Sequence, residues 1–152
     1  MTVRPALPAE VGPVVAMLRA LAAEQGDETA IDETSLAAAL FGEERAARSL
    51  VAVGDAGAAV GCAVWFPTYS TYLARPGVYL QDLYVLPGHR GDGHGRDLMQ
   101  ALAARTAGRV EWSVVDGNDR AARFYASLGA HPHDGWTTWH WPGTAPPVQP
   151  AS

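Results

Sequence analysis

The sequence predicts one mixed α/β domain with a largely antiparallel sheet and helices on both faces. The chain has 152 residues, of which 48% are hydrophobic and 18% charged, a composition typical of a single globular domain. The predicted elements follow the order β-α-α-β-β-β-α-β-α-β, with no internal repeat and no second domain. Hairpin-linked strands precede strand–helix crossovers, and this mixture implies a sheet that is mostly antiparallel.

Six strands are predicted from runs of β-branched, aliphatic and aromatic residues: 3–5, 49–53, 58–66, 78–85, 110–115 and 137–141. The second and third flank Gly54-Asp55-Ala56-Gly57, which is typical of a hairpin turn. Residues 69–76 are expected to form a loop. The fourth strand is expected to end before Pro87, because proline cannot donate to a sheet ladder.

Four helices are predicted: from Val11 to Leu21, from caps at 32–35 to Leu40, from Leu98 to near Gly108, and from Asn118 or Asp119 to Leu128. The first has apolar residues at three- and four-residue spacing, which is typical of an amphipathic helix. Small polar residues that cap helices precede the second and the fourth. Gly129 supplies a stop for the fourth, because glycine tolerates the left-handed conformation that follows many helices.

Bulk properties exclude several classes of function. The net charge of −5 argues against a nucleic-acid partner. The longest apolar runs hold about ten residues, half of what a membrane span needs. The first residues lack a secretory profile and the single Cys62 cannot form an internal disulfide, so we expect a cytoplasmic protein with a buried, inert thiol. Residues 142–152 contain four prolines and are expected to form a disordered tail.

The most informative stretch is the glycine-rich loop between the strand at 78–85 and the third helix. Gly91, Gly93 and Gly95 occupy every second position after Arg90. The free amides of such a loop, together with the dipole of the helix, form an anion site suited to a pyrophosphate. Side chains at these positions would block close approach of the phosphates. The spacing fits neither a P-loop nor a dinucleotide fingerprint, and a tight turn without a ligand is the alternative.

The stretch Arg90-Gly91-x-Gly93-x-Gly95 resembles the acetyl-CoA loop of the GNAT superfamily of N-acetyltransferases, whose pattern is Arg/Gln-x-x-Gly-x-Gly/Ala. Residues 79–85, Glu111-Trp112, Asn118 and 124–130 resemble the diamine branch, which contains the spermidine/spermine and thialysine acetyltransferases. The resemblance implies a GNAT domain at 1–141. In that fold a twisted, mostly antiparallel sheet of six to seven strands has helices on both faces.

The resemblance also implies acetyl-CoA as cosubstrate. The residues implied to bind it are Leu83, Tyr84, Val85, Arg90, Gly91, Asp92, Gly93, His94, Gly95, Arg96, Asn118 and Ala121. The first three would act through the main chain, where an N–H can hold the oxyanion. Tyr125 is implied as the general acid for the leaving thiolate, and this is feasible because phenols and thiols have similar acidities. The alternative for Tyr125 is a core aromatic residue.

The residues expected to contact the acceptor amine are Glu24, Gln25, Gln81, Glu111 and Trp112. The diamine branch usually has a glutamate at the position of Gln81. Glutamine can only hydrogen-bond, so this departure argues against polyamine specificity. The remaining candidate carboxylates are Asp82, Glu24, Glu111 and Asp116, and the base is left open between Glu24 and Glu111, each acting through water. Asp82 is expected to be structural, because strand alternation directs it away from Gln81.

The function implied is direct transfer of an acetyl group to a primary amine of a small molecule, such as a polyamine or a lysine analogue, in a ternary complex. Alternatives are a protein lysine or N-terminal acetyltransferase and a non-catalytic acetyl-CoA sensor. The five histidines lack metal-ligand spacing, so no metal is expected, and His89 and His94 are expected to face solvent. An aromatic-rich set is expected to serve mainly core and dimer contacts and suggests a homodimer, whereas Tyr72 and Trp136 are the candidates for an aromatic wall around a cationic amine.

Overall fold

The computed structural model describes residues 2–143, and five strands form one sheet in it. In their order across the sheet, which is also their order in the chain, they are β1 at Thr2–Pro5, β2 at Arg48–Val53, β3 at Ala59–Ser70, β4 at Arg75–Val85 and β5 at Val110–Glu111. The first four strands pair antiparallel with their neighbours, whereas β4 and β5 are parallel. This arrangement confirms the predicted mixed and largely antiparallel sheet.

The helices cover both faces of this sheet, as predicted. Their bounds are α1 at Val11–Glu24, α2 at Glu33–Phe41, α3 at His94–Ala103 and α4 at Asp119–Ser127, with short 3-10 turns at Pro8–Glu10 and Pro87–His89. The predicted caps are in place. Asp32 accepts a hydrogen bond of 2.7 Å from the Ser35 amide, and Asn118 accepts one of 3.1 Å from the Ala121 amide.

Two hydrophobic clusters lie on opposite faces of the sheet. One joins α1 and α2 to residues such as Val51 and Cys62, and the other joins α3 and α4 to residues such as Leu50 and Ala63. Consecutive strand residues therefore serve different clusters, as strand geometry requires. Cys62 is buried, as predicted. Burial and the nearby Asp82 raise its pKa to about 12, so the thiol stays protonated.

A bulge interrupts the pairing of β3 with β4. Val64 lies opposite Asp82 and Trp65 lies opposite Leu80, so Gln81 is an extra residue without a partner across the ladder. As a consequence, Leu80 and Leu83 contribute to the same hydrophobic cluster although they are three positions apart. The strict two-residue alternation assumed from the sequence does not hold across this point of β4.

Four predicted elements differ from those observed, and the sheet has five strands where six to seven were expected. The third helix begins and ends earlier than predicted, at His94 and Ala103. Residues 69–76 are a hairpin rather than a loop, with a turn at 71–74 between β3 and β4. The strand predicted at 110–115 pairs over two residues only. Residues 137–141 form no strand, and this prediction is wrong. Residues 112–115 are outside the sheet as well, and Trp139 and Trp141 are each 90% exposed.

The remaining expectations concern the chain ends and the membrane. Most of the predicted tail at 142–152 lies outside the described residues, as does residue 1, so the predicted domain limits stay a prediction. Within 2–143, no helix combines the length and the apolar character that a membrane crossing requires.

Candidate active site

A gap opens in the sheet where β4 and β5 separate. Their ladder ends at the pair Tyr79 and Glu111, and beyond it residues 81–85 of β4 diverge from the segment 112–118. Two adjoining cavities occupy this gap, a larger one of about 740 Å³ and a smaller one of about 340 Å³. The residues that line both cavities are Leu21, Gln25, Leu83, Val115, Asn118, Ala121 and Tyr125.

The glycine-rich loop and the start of α3 line the larger cavity. Across residues 2–143, none of the six main-chain amides from Gly91 to Arg96 donates a recorded hydrogen bond. The first amide that does so belongs to Asp97, which reaches the Gly93 carbonyl at 3.0 Å. Gly91 and Gly93 adopt φ of 89° and 90°, a region that favours glycine. Six free amides at a helix N-terminus fit a pyrophosphate.

Of the residues predicted to bind the coenzyme, all but one line the larger cavity. The residues brought together there are Leu83, Tyr84, Val85, Arg90, Gly91, Gly93, His94, Gly95, Arg96, Asn118 and Ala121. Asp92 is exposed and does not line the cavity. His94 is only 6% exposed, so the expectation that it faces solvent is wrong. Arg120 also lines the larger cavity, although the sequence did not single it out.

Glu24, at the end of α1, is held by two residues of the site. Its Oε1 accepts hydrogen bonds from Arg90 Nη2 at 2.8 Å and from Tyr84 Oη at 3.0 Å. The same guanidinium donates from Nε to the Val85 carbonyl at 2.8 Å and lies 5.1 Å from the Tyr84 ring centroid. These contacts join α1, β4 and the glycine-rich loop.

This network makes Glu24 a weak candidate for the base. Partial burial acts to raise its pKa, but the hydrogen bonds from Arg90 and Tyr84 outweigh that effect and hold the pKa below its ordinary value. A carboxylate with a lowered pKa binds protons less readily. Glu24 therefore serves better as a support for Arg90 than as a proton acceptor.

Asp82 and Gln81 both line the smaller cavity, together with Gln25 and Trp112. The prediction that Asp82 faces away from Gln81 is wrong, because the bulge at Gln81 breaks the alternation. Burial raises the pKa of the Asp82 carboxyl, and no hydrogen bond or ion pair to it is recorded among the described residues. Asp82 also carries the one charge among the residues lining this cavity.

Tyr125 lies on α4 and lines both cavities. Its ring centroid is 4.7 Å from that of Trp112 and 5.2 Å from that of Phe124, so the ring is packed on two sides. Burial raises the pKa of its hydroxyl, which therefore stays protonated at neutral pH. A protonated phenol at the junction of the two cavities can donate a proton to a group in either one.

Glu111 lines neither cavity. Its Oε1 lies 3.3 Å from Arg109 Nε, and its side chain is 54% exposed. The residues expected around the amine therefore lie in three different places. Gln25, Gln81 and Trp112 surround the smaller cavity, Glu24 lines the larger cavity beside Arg90, and Glu111 is on the surface. Within residues 2–143, Asp82 is the one carboxylate that lines the smaller cavity.

The family model and the relatives found by comparison with known proteins are all acetyltransferases. The family model described as the acetyltransferase (GNAT) family matches residues 15–130. The thialysine N-epsilon-acetyltransferase of Mus musculus is 30% identical over 159 residues, covering 94% of this chain and 93% of that protein. The L-ornithine N5-acetyltransferase NATA1 of Arabidopsis thaliana is 36% identical over 80 residues, covering 50% of this chain and 35% of that protein.

Solved structures share the same architecture. A mutant form of the BH1408 protein from Bacillus halodurans superposes with a TM-score of 0.76 at 25% identity, covering 93% of this chain and 99% of that one. A possible acetyltransferase from Clostridium difficile 630 gives a TM-score of 0.78 at 18% identity, over 95% and 98% of the two chains, and this likeness concerns the fold alone. On the family match and the thialysine relative, this chain belongs to the GNAT family of acetyltransferases.

Proposed function

We propose that this chain transfers the acetyl group of acetyl-CoA to the side-chain amine of a basic amino acid or a related small primary amine. The observation that carries the proposal is the pair of cavities that meet at Tyr125. One has the free amides of an anion site, and the other has a single carboxylate. A phosphate-bearing donor and a cationic acceptor would thus approach one proton donor from two sides.

The larger cavity suits the coenzyme. The six free amides from Gly91 to Arg96 would hold the pyrophosphate, and Arg96 and Arg120 add positive charge to the same lining. Bound acetyl-CoA supplies the activated thioester. The main chain of residues 83–85, at the open edge of β4, would present an N–H to the carbonyl oxygen as negative charge develops on it.

The acyl transfer proposed needs no covalent enzyme intermediate. The amine nitrogen forms a bond to the acetyl carbonyl carbon, and the carbon–sulfur bond breaks. An ammonium acceptor first loses one proton to the Asp82 carboxylate, directly or through water, and the neutral amine is the form that attacks. Tyr125 gives its phenolic proton to the departing thiolate, and the second proton lost by the nitrogen restores the Tyr125 phenol. The raised pKa of Asp82 makes it a better base than an ordinary carboxylate. Cys62 is buried and stays protonated, which argues against a thiol nucleophile.

The charge of the smaller cavity favours one class of amine. A single carboxylate, Asp82, can balance one ammonium, whereas a polyamine carries several. Gln81 adds a hydrogen-bonding group there but no charge. The relatives named for thialysine and ornithine act on amino acids with a basic side chain. We therefore favour lysine, ornithine and their analogues over spermidine and spermine as acceptors.

Thiol release from acetyl-CoA, measured against a panel of amines, tests the proposal. Lysine, ornithine and thialysine should give a higher kcat/KM than spermidine, and N-acetylated forms of their side-chain amines should give none. Turnover on peptide lysines but on none of the small amines would favour a protein acetyltransferase. Binding of acetyl-CoA without turnover on any amine would favour the sensor alternative.

We also propose that two copies of the chain associate as a homodimer. Trp136, Trp139 and Trp141 are 70%, 90% and 90% exposed, and large exposed aromatic surfaces usually meet a partner. Tyr69 and Tyr72 add further exposed rings at 66% and 86%. Light scattering coupled to gel filtration should give twice the mass of the chain. A Trp139→Ser, Trp141→Ser double variant should run as a monomer, and a monomeric unmodified chain would refute the proposal.

A further inference from the structure

Three potential metal ligands meet where the glycine-rich loop leads into α3, beside the larger cavity. His89, Asp92 and His94 each present a ligand atom, and these atoms all lie within 4.8 Å of one another. The two imidazole centroids are 6.1 Å apart, with the rings inclined at 69°. The histidines are five positions apart in the sequence, so the cluster depends on the fold of the loop and is not a recognisable sequence motif.

The polar groups of this cluster are free of other partners. His94 is 6% exposed, and its Nδ1 is buried without a hydrogen-bond partner. In the described part of the chain, no hydrogen bond or ion pair is recorded for the His89 ring or the Asp92 carboxylate. A buried nitrogen without a partner is uncommon in folded proteins, because its lost hydration is normally replaced by another contact.

We propose that His89, Asp92 and His94 bind a borderline divalent cation, with Zn²⁺ as the best match. Two imidazoles and one carboxylate are the ligand types of three-residue zinc sites, whereas Mg²⁺ and Ca²⁺ prefer oxygen alone. Zinc–ligand bonds of about 2.0–2.2 Å in a tetrahedron separate ligand atoms by roughly 3.4 Å. The ligand atoms lie within 4.8 Å of one another, so the exposed Asp92 and the half-buried His89 would move closer to His94 on binding the ion.

The position of the cluster gives the cation a place beside the coenzyme site. His89 and His94 line the larger cavity, whereas Asp92 does not. The ion would therefore lie between the lining of the larger cavity and the outer rim of that cavity. The fourth coordination position of the ion would be open to water or another ligand. Cys62 is buried, so a thiol does not compete for the metal.

Direct metal titration tests the site without using enzyme activity. Untagged protein would be titrated with Zn²⁺ by calorimetry and with Co²⁺ by visible absorption, which reports tetrahedral coordination. We expect saturation at one ion per chain. Asp92→Asn and His89→Gln should each weaken Zn²⁺ binding at least about tenfold. Mutation of a residue that only hydrogen-bonds to a metal ligand already lowers metal affinity by about that factor, and these two residues are the ligands themselves. Both residues are more accessible than His94, so these variants should keep the fold.

His133→Gln and Asp134→Asn are matched controls, because they remove the same chemical groups from an exposed segment outside both cavities. Both should bind Zn²⁺ as the unmodified chain does. Absence of saturable binding in the unmodified chain would overturn the proposal. So would Asp92→Asn and His89→Gln proteins that bind Zn²⁺ as tightly as the two controls.

Discussion

Replacing Gly91 with alanine should weaken acetyl-CoA binding while costing little more stability than the same change elsewhere. Gly91 has φ of 89°, and an added Cβ would meet no atom within 4 Å. Gly135 has the same φ of 89° and the same empty surroundings, but it lines neither cavity. Comparison of Gly91→Ala with Gly135→Ala therefore separates the effect of backbone strain from the effect of obstructing the anion site.

The two effects have different expected sizes. An L-residue in left-handed backbone costs about 1–2 kcal/mol, which lowers the melting temperature of a chain this long by about 2–8 °C in both variants. At Gly91 the added methyl also keeps the pyrophosphate from the loop amides. Loss of one hydrogen bond to a charged group costs about 1.5–3 kcal/mol, which corresponds to roughly ten- to a hundredfold weaker binding.

Calorimetric titration with acetyl-CoA and thermal unfolding would be run on the same preparations. We expect similar melting temperatures for Gly91→Ala and Gly135→Ala, with weakened binding in Gly91→Ala alone. Unchanged affinity in Gly91→Ala would refute the assignment of the loop as the pyrophosphate site. Equal losses of affinity in both variants would show that strain, and not obstruction, is responsible.

Three further substitutions test the smaller cavity and its surroundings. Asp82→Asn should lower kcat by about a hundred- to ten-thousandfold if Asp82 is the base. Because burial raises its pKa, the ionised Asp82 destabilises the fold, so Asp82→Asn should melt higher at neutral pH. That gain should shrink as the pH falls towards the ordinary carboxyl value of 3.8, and an unchanged melting temperature at neutral pH would contradict it. Glu24→Gln should keep kcat within about tenfold if, as we propose, Asp82 is the base and Glu24 only contacts Arg90; a loss as large as that of Asp82→Asn would make Glu24 the base. Its stability should fall at neutral pH and match the unmodified chain in acid, since the lowered pKa of Glu24 stabilises the fold only where the carboxylate is ionised. Gln81→Glu should raise kcat/KM for spermidine by adding a second carboxylate to the smaller cavity, and steady-state kinetics that show no gain would count against this charge argument.

Features set by short stretches of sequence could be predicted well. The glycine-rich loop after β4 and the caps of α2 and α4 depend on residues within a few positions of each other, and the structure has them where expected. The two-sided covering of the sheet followed from the order of the elements. These features need only local backbone preferences and the burial of apolar faces.

Features that depend on long-range geometry could not be predicted. The bulge at Gln81 reverses the expected direction of Asp82, and nothing in the strand's own residues marks it. The contact between Glu24 and Arg90 joins groups 66 positions apart. The burial of His94 depends on how α3 packs on the sheet. The strand predicted at 137–141 failed because strand propensity forms no ladder without a neighbour.

The most direct test of acyl transfer at the junction of the two cavities is the steady-state kinetics of Tyr125→Phe with the preferred amine. A hydroxyl that protonates the leaving thiolate acts in the transition state and hardly at all in the ground state. Its removal should therefore lower kcat and kcat/KM together, by about a hundred- to ten-thousandfold, with KM nearly unchanged. The ring and its contacts with Trp112 and Phe124 stay in place, so the melting temperature should move little. A Tyr125→Phe enzyme with full turnover, under conditions where the chemical step limits the rate, would contradict the mechanism.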